Sequence, residues 1–265
     1  MKRYALLGDK LSHSLSPAIH RRFFCAFACN AVYDLLPAAP EDLPRAVQTL
    51  LAGYDGFNVT KPYKESILPY LDNLEGAAAV ARSVNTVKIA GGKAAGYSTD
   101  GAGFLRSLAK EGVDPAGKRI LLLGAGGAAK AVAAALSLGY RCAVDCYAPL
   151  SSARALPPSV RPVARVEGGG YDIVVNCTPV GQTPDTAASP LTQAELSGAG
   201  FVFDAVYNPA RTLLLSYAAQ AGIPHVGGLD MLIFQAYEAQ RVWLGRDLTE
   251  SALCDTIEGI KGELQ

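Results

Sequence analysis

The sequence predicts an α/β fold in two parts, each a series of strands alternating with helices. Three observations carry that expectation. Short β-rich runs alternate with helical runs along the chain, a pattern of parallel sheets rather than of a sandwich or a bundle. The glycine-bounded apolar run Ile120-Leu121-Leu122-Leu123-Gly124 suits a strand buried on both faces. The composition is that of a folded chain: 265 residues, 24 basic and 24 acidic side chains, half apolar and 18% charged, far from the charged, apolar-poor make-up of disorder.

Taken in order, Tyr4 to Gly8 reads as the first strand, and a loop leads into a helix near Ser16-Pro17, a capping residue followed by a proline at the first helical position. Ala31 to Leu36 is a second strand. Glu41 to Ala52 is a helix with Leu43, Val47, Leu50 and Leu51 on one face, and Gly56 to Thr60 is a third strand. Val84 to Ala90 and Lys93 to Tyr97 form a hairpin or a flapped strand, because Gly91-Gly92 supplies a turn with positive φ. One α/β part ends near residue 101.

A helix from about Gly103 to Lys110 closes with Gly112, and the second part begins at Lys118. Gly126 to Leu138 is a helix of small residues stopped by Gly139, and Arg141 to Cys146 is the next strand. Tyr171 to Asn176 and Gly200 to Val206 are further strands. After Gly227-Gly228 a largely apolar helix runs from Leu229 to about Leu244 and carries Trp243. The expected domains are residues 1–101 and 102–228, with helices in 229–265.

The zero formal charge argues against a nucleic-acid partner, whose phosphates need a basic face. The six cysteines form no Cys-x-x-Cys pair and lie in apolar surroundings, which reads as reduced, buried thiols. The three histidines have no metal-ligand spacing, so no metal is expected. The chain reaches Gly8 and Asp9 too early for a signal peptide, and no uncharged apolar run approaches the roughly 18 residues of a membrane span. A soluble, cytoplasmic protein without a membrane partner is expected.

Chemistry concentrates in two places. Gly124-Ala125-Gly126-Gly127-Ala128-Ala129 fits the Gly-x-Gly-x-x-Gly/Ala dinucleotide pattern between a strand and a helix. The first glycine permits the tight turn, the second lets backbone N–H groups approach a pyrophosphate, and the helix amino end supplies partial positive charge. Asp145, 21 residues after Gly124, stands near the distance of an acid that binds the free 2′-hydroxyl of NAD. No arginine sits at that strand end, and Arg154 reads either as a base folding back onto a 2′-phosphate or as a solvated charge.

The first part carries the second concentration. Ser14 and Ser16 stand on alternate residues and can clasp a carboxylate, with helix capping by Ser16 as the alternative. Asn58-Val59-Thr60-Lys61-Pro62-Tyr63-Lys64 ends a strand with an amide, a hydroxyl and two lysines. Ser83-Val84-Asn85-Thr86 and Ser98-Thr99-Asp100-Gly101 add an amide and a carboxylate at strand edges, where ligands of open α/β sheets collect.

At this point the chain resembles the shikimate dehydrogenase family. The Ser-x-Ser-Pro entry, the Asn-Val-Thr-x-Pro-x-Lys segment, Val-Asn-Thr, Thr-Asp-Gly and the Gly-Ala-Gly-Gly-Ala loop occur in the family's order. Asn176 to Gly181, Asp204 to Pro209 and Met231 to Ala236 continue the likeness, so that it covers about residues 4 to 245. It implies a Rossmann-like, doubly wound nucleotide domain beside a substrate domain onto which the final helices fold back. It also implies reversible, NADP-dependent reduction of 3-dehydroshikimate to shikimate by a monomer or homodimer. By motif, Lys64 is the general acid/base and Asp100 holds both it and a substrate hydroxyl. Ser14 and Ser16 bind the carboxylate with Tyr207 nearby, and Thr60, Asn85 and Gln235 bind ring hydroxyls. Gly124, Ala125, Gly126, Gly127, Ala128, Asp145, Thr178 and Gly228 are the expected cofactor residues. Lys61, at a variable motif position, reads as a surface charge.

Two departures stand out. Ser98 replaces the family's asparagine, and Tyr147-Ala148-Pro149 stands where NADP-using members carry Asn-Arg-Thr. The resemblance therefore implies NADP and leaves NAD open. Ser16 favours shikimate over quinate, which goes with threonine there. The alternatives are an NAD-dependent quinate/shikimate dehydrogenase and a non-catalytic relative that binds nucleotide or a shikimate-like ligand. Retention of both Lys64 and Asp100 argues against the latter.

Overall fold

Among the described residues, two six-stranded sheets organise the chain, one mixed and one wholly parallel. A computed structural model describes residues 1–153, 155–166 and 168–264. It divides into two units, one of Met1–Thr99 with Ile233–Gln265 and the other of Asp100–Leu232.

The first unit contains β1 (Lys2–Gly8), α1 (Ser16–Ala26), β2 (Ala31–Pro37), α2 (Leu43–Gly53), β3 (Gly56–Val59), β4 (Asn73–Leu74), α3 (Ala77–Ala81), β5 (Thr86–Ala90) and β6 (Lys93–Tyr97). Its strand order is β2-β1-β3-β5-β6-β4. Strands β1, β2 and β3 are parallel, and β5 reverses the direction against β3. Strands β5 and β6 form the expected hairpin, with Gly91 at φ +59 and Gly92 at φ +75 in the turn.

Alternation along the strands sorts the core. Ala5, Leu7, Phe57 and Val59 pack with Leu43, Val47 and Leu50 of α2 and with Tyr63 and Ile67. Tyr4 packs instead with Phe24 and Trp243, its ring stacked 4.3 Å from that of Trp243. The expected cap of α1 is corrected: Leu15 is the N-cap, and Ser16, the first helical residue, makes no capping bond. At the other end of α1, Cys29 N–H bonds Phe24 O and Ala28 N–H bonds Cys25 O, with Ala28 left-handed at φ +47.

The second unit contains α4 (Asp100–Lys110), β7 (Arg119–Leu123), α5 (Gly127–Gly139), β8 (Ala143–Tyr147), α6 (Leu150–Ala153), β9 (Val160–Val163), β10 (Ile173–Asn176), β11 (Phe201–Asp204), α7 (Leu213–Gln220) and β12 (His225–Gly227). Helix α8 (Leu229–Leu244) begins in this unit and continues in the first, followed there by α9 (Glu250–Leu264). The parallel sheet runs β12-β11-β10-β7-β8-β9. Counted within the unit, this is the 3-2-1-4-5-6 order of the doubly wound dinucleotide-binding fold. Ile120, Leu122, Ile173, Val175 and Phe203 point to one face, and Leu121, Leu123, Val174 and Val202 to the other. Both faces are apolar, as a sheet covered on both sides requires.

The cysteine expectation is corrected in part. All six are free thiols, but only Cys146 is buried, whereas Cys25 and Cys254 are exposed on their helices. No helix among the described residues is long and apolar enough to cross a membrane.

Candidate active site

In the first unit, polar side chains gather at the carboxyl ends of β1, β3 and β6 and at the start of β5. The loop after β1 is closed by a Ser14 N–H to Leu11 O bond of 3.0 Å, and the Ser14 hydroxyl accepts the Ser16 N–H at 3.3 Å. Both serines are half-buried. Beyond β3, Thr60 N–H donates to Leu7 O at 2.9 Å, which ties the strand end to β1. Lys64 follows in a turn pinned by its neighbour: the buried Tyr63 donates its hydroxyl to Ala38 O at 2.6 Å, and Lys64 O accepts Val84 N–H at 2.8 Å. Lys64 is half-buried and Lys61 exposed.

The centre of this array is a buried amide and hydroxyl network. Thr99 N–H donates to Asn85 Oδ1 at 2.7 Å, and Asn85 Nδ2 donates to Thr99 Oγ1 at 2.9 Å and to Gln235 Oε1 at 3.4 Å. Asn58 Nδ2 donates to Asn85 O at 3.1 Å and to Thr86 Oγ1 at 2.9 Å. Asn58, Asn85, Thr86, Thr99 and Gln235 are all buried. Buried polar groups in such number are stable only when mutually satisfied, and a satisfied network presents its remaining donors in fixed directions. Asn85 and Gln235 were expected at this site; Thr60, expected with them, stands at the end of β3 with its backbone tied to β1. Asn58, Thr86 and Thr99 stood within the polar motifs without a site role, although an asparagine between Phe57 and Val59 in a four-residue strand buried throughout is a readable signal.

The structure assigns Asp100 and Tyr207 to the second unit, and Ser14, Ser16 and Lys64 to the first. Asp100, buried, is the first residue of α4, where helix N–H groups favour an acid. It follows Thr99 directly in the chain. Tyr207 is half-buried in the loop after β11, and burial pushes its phenol pKa up.

The glycine loop lies between β7 and α5. Gly124 adopts φ +96, and a Cβ there would come within 2.9 Å of Thr178 Cγ2, so the loop rests against Thr178. Gly126 is the N-cap of α5, and a Cβ on it would meet nothing within 4 Å. The loop is thus backbone facing open space at a helix amino end, a cradle that fits a pyrophosphate. Thr178 is set by Asn176, whose Oδ1 accepts its N–H at 2.9 Å and its hydroxyl at 2.7 Å. Asn176 Nδ2 in turn donates to Asp204 Oδ1 at 2.9 Å, and Thr212 Oγ1 to Asp204 Oδ2 at 2.6 Å. Burial raises the Asp204 pKa despite these donors. Gly228 has a packing reason: a Cβ there would lie 2.2 Å from Ala205 O.

Asp145 is a correction. Its carboxylate is buried in mid-strand and bound by Arg161 through Nε at 2.7 Å and Nη2 at 2.8 Å, by the Tyr171 hydroxyl at 2.9 Å and by Arg119 at 3.4 Å. The Arg161 bonds lead in lowering its pKa, against a smaller upward push from burial. Sequence distance matched the ribose position, but the side chain serves a structural ion network two residues before the strand end. That end is Tyr147, exposed, followed by Ala148 and Pro149, with no cation among the three. Arg154 lies outside the described residues.

Comparison with known proteins gives matches along nearly the whole chain. Residues 6–87 match the family described as the shikimate dehydrogenase substrate binding domain. The NADP(+) shikimate dehydrogenase of Moorella thermoacetica is 41% identical over 259 residues, covering 92% of this chain and 88% of that protein. The Thermus thermophilus shikimate 5-dehydrogenase structure, in complex with NADP(H) and shikimate, has a TM-score of 0.87 at 33% identity, covering 98% of this chain and 100% of that one. The Listeria monocytogenes enzyme, solved with shikimate and NAD, has a TM-score of 0.88 at 28% identity, covering 100% and 96%. Identity at this level across more than nine-tenths of its length places the chain in the shikimate dehydrogenase family.

Proposed function

We propose that the chain catalyses the reversible, NADP(H)-dependent interconversion of 3-dehydroshikimate and shikimate, the first unit holding the substrate and the second the dinucleotide. The observation that carries the substrate side is the buried Asn85-Thr99-Gln235 network at the strand ends. Its fixed donors and acceptors suit a ring bearing several hydroxyls, and an analogue lacking one leaves a buried group unpaired. Ser14 and Ser16 bind the carboxylate through hydroxyls, without a full positive charge. Thr60, Asn85 and Gln235 hold ring hydroxyls, and Tyr207 is read with the serines as a carboxylate-binding residue.

When bound, the nicotinamide cofactor supplies or accepts the hydride. Lys64 gives a proton to the reacting oxygen in one direction and removes it in the other, and Asp100 orients Lys64 and a substrate hydroxyl. Gly124, Ala125, Gly126, Gly127 and Ala128 hold the pyrophosphate, with Thr178 behind the loop. The missing cation at Tyr147-Ala148-Pro149 favours a second reading, in which NAD is also accepted and discrimination between the cofactors is weak.

Purified protein is expected to oxidise shikimate with NADP⁺. Lys64→Ala is expected to lower kcat by about 10²- to 10⁴-fold, the usual worth of positioned proton transfer, with a much smaller change in shikimate KM. No turnover of shikimate or quinate with either cofactor overturns the reading. Comparing kcat/KM for NADP⁺ and NAD⁺ decides between the cofactors, and a strong NADP⁺ preference excludes the second reading.

A further inference from the structure

Tyr33, on edge strand β2, reaches into the network from outside the motifs. The strand order β2-β1-β3 puts β1 between Tyr33 and Asn58, and the phenol crosses it to donate to Asn58 Oδ1 at 2.7 Å. The ring is held from behind by the buried His20, stacked at 4.3 Å with 12° between the planes. The Ser16 hydroxyl lies against the same phenol and opposes the rise that burial imposes on its pKa.

The bonds downstream have one polarity. Because Asn58 Oδ1 accepts from Tyr33, Asn58 Nδ2 is the group turned to Thr86 Oγ1, at 2.9 Å. With its oxygen accepting there, Thr86 directs its own proton onward, to Asn85 Oδ1 at 3.3 Å or Thr99 Oγ1 at 3.2 Å. Asn85 Oδ1 also takes Thr99 N–H at 2.7 Å, so Asn85 Nδ2 is the donating side, to Thr99 Oγ1 at 2.9 Å and to Gln235 Oε1 at 3.4 Å. Asn58 is buried beside His20, so removing the phenol hydroxyl takes away the 2.7 Å donor to its carbonyl oxygen and loosens each bond after it.

We propose that Tyr33 is a positioning residue for substrate: its hydroxyl sets the Asn58 carboxamide and, through Thr86, holds Asn85 with its N–H rather than its carbonyl toward Thr99 and Gln235, the arrangement in which Asn85 and Gln235 meet the ring hydroxyls. The inference rests on the reading of the first unit as the shikimate site. Tyr33→Phe keeps the ring and its stack on His20 while deleting the donor. It is expected to raise shikimate KM by about three- to ten-fold, the worth of one hydrogen bond, with kcat changed by less than about two-fold and the KM for NADP⁺ unaltered. Thr86→Val cuts the same chain in its middle and is expected to reproduce the effect, which covers a Tyr33→Phe protein that fails to fold. In an Asn85→Ala background, Tyr33→Phe is expected to add nothing, because the group it positions is gone.

Unchanged KM in folded Tyr33→Phe, or in folded Thr86→Val, overturns the inference while normal shikimate turnover by the unaltered chain leaves the proposed function standing. So does an equal KM increase with and without Asn85, which makes the phenol independent of that residue. Failure of the unaltered chain to turn over shikimate overturns both.

Discussion

His20 shows how one buried side chain sets a condition on the whole first unit. It is fully buried, with Nδ1 3.0 Å from Gln240 Nε2, and burial pushes its pKa down to about 3. The unfolded imidazole titrates near 6.5. Between these values the unfolded chain binds a proton that the native chain refuses, so the stability contributed by neutral His20 is present above pH 6.5 and is lost as pH falls toward 3. About 2 kcal/mol is expected to go between pH 7 and pH 5, before most carboxylates titrate. Trp243, the single tryptophan, lies 5.3 Å from the His20 ring and reports this unit. Urea unfolding followed by its fluorescence is expected to show the loss in the unaltered chain and not in His20→Leu; an equal loss in both excludes His20 as the cause. None of this was legible from sequence, because an isolated histidine next to Ile19 carries no sign of its surroundings. Asp145 failed for the same reason. Spacing located it along the chain, while Arg161, Tyr171 and Arg119, up to 26 residues away, decided what its carboxylate does.

Among the elements, the glycine loop was read most fully, since strand, turn and helix are adjacent and the chemistry is backbone. Two glycines there have opposite reasons. Gly126 faces open space at φ −77, a conformation alanine shares, so Gly126→Ala is expected to leave stability within about 0.5 kcal/mol. Its methyl group would occupy the cradle, and NADP⁺ binding measured by calorimetry is expected to weaken by about ten-fold or more, since close backbone approach is what that glycine permits. Undiminished binding would show that the loop is only a tight turn. Gly228 instead abuts Ala205 O, where a methyl group is an overlap with backbone. Strands β7, β8, β10 and β11 and helix α8 were legible from apolar runs bounded by glycine. Strands β9 and β12 and helix α7 were not, because Val160–Val163 is interrupted by Arg161 and Pro162, His225–Gly227 is only three residues long, and Leu213–Gln220 lacks a polar face at its start. The cap of α1 was misplaced by one residue, because a serine before proline satisfies the rule whether or not its side chain bonds.

At the scale of the molecule, the first unit is discontinuous, closed by residues that follow the second. Trp243 stacks on Tyr4 and donates to Val87 O at 2.9 Å, Lys88 Nζ donates to Val242 O at 2.7 Å, and Arg22 pairs with Glu263. A chain truncated after Leu232 is expected to leave Tyr4 and Phe24 uncovered and to lose protection from proteolysis throughout residues 1–99, while the fragment 100–232 persists. Equal protection of residues 1–99 in the truncated and full chains would overturn that dependence.

By itself the sequence determined the alternation of strands and helices, the glycine loop and its polarity, and the order of polar motifs that identified the family, because each is written in neighbouring residues or in a local period. Only the tertiary structure decided which polar groups meet: that Asn58, Thr86 and Thr99 join Asn85 and Gln235, that Tyr33 reaches Asn58 across β1, and that Asp145 is held by arginines. Hydrogen bonds and ion pairs act over about 3 Å between residues up to 241 positions apart, and it is folding that sets such distances.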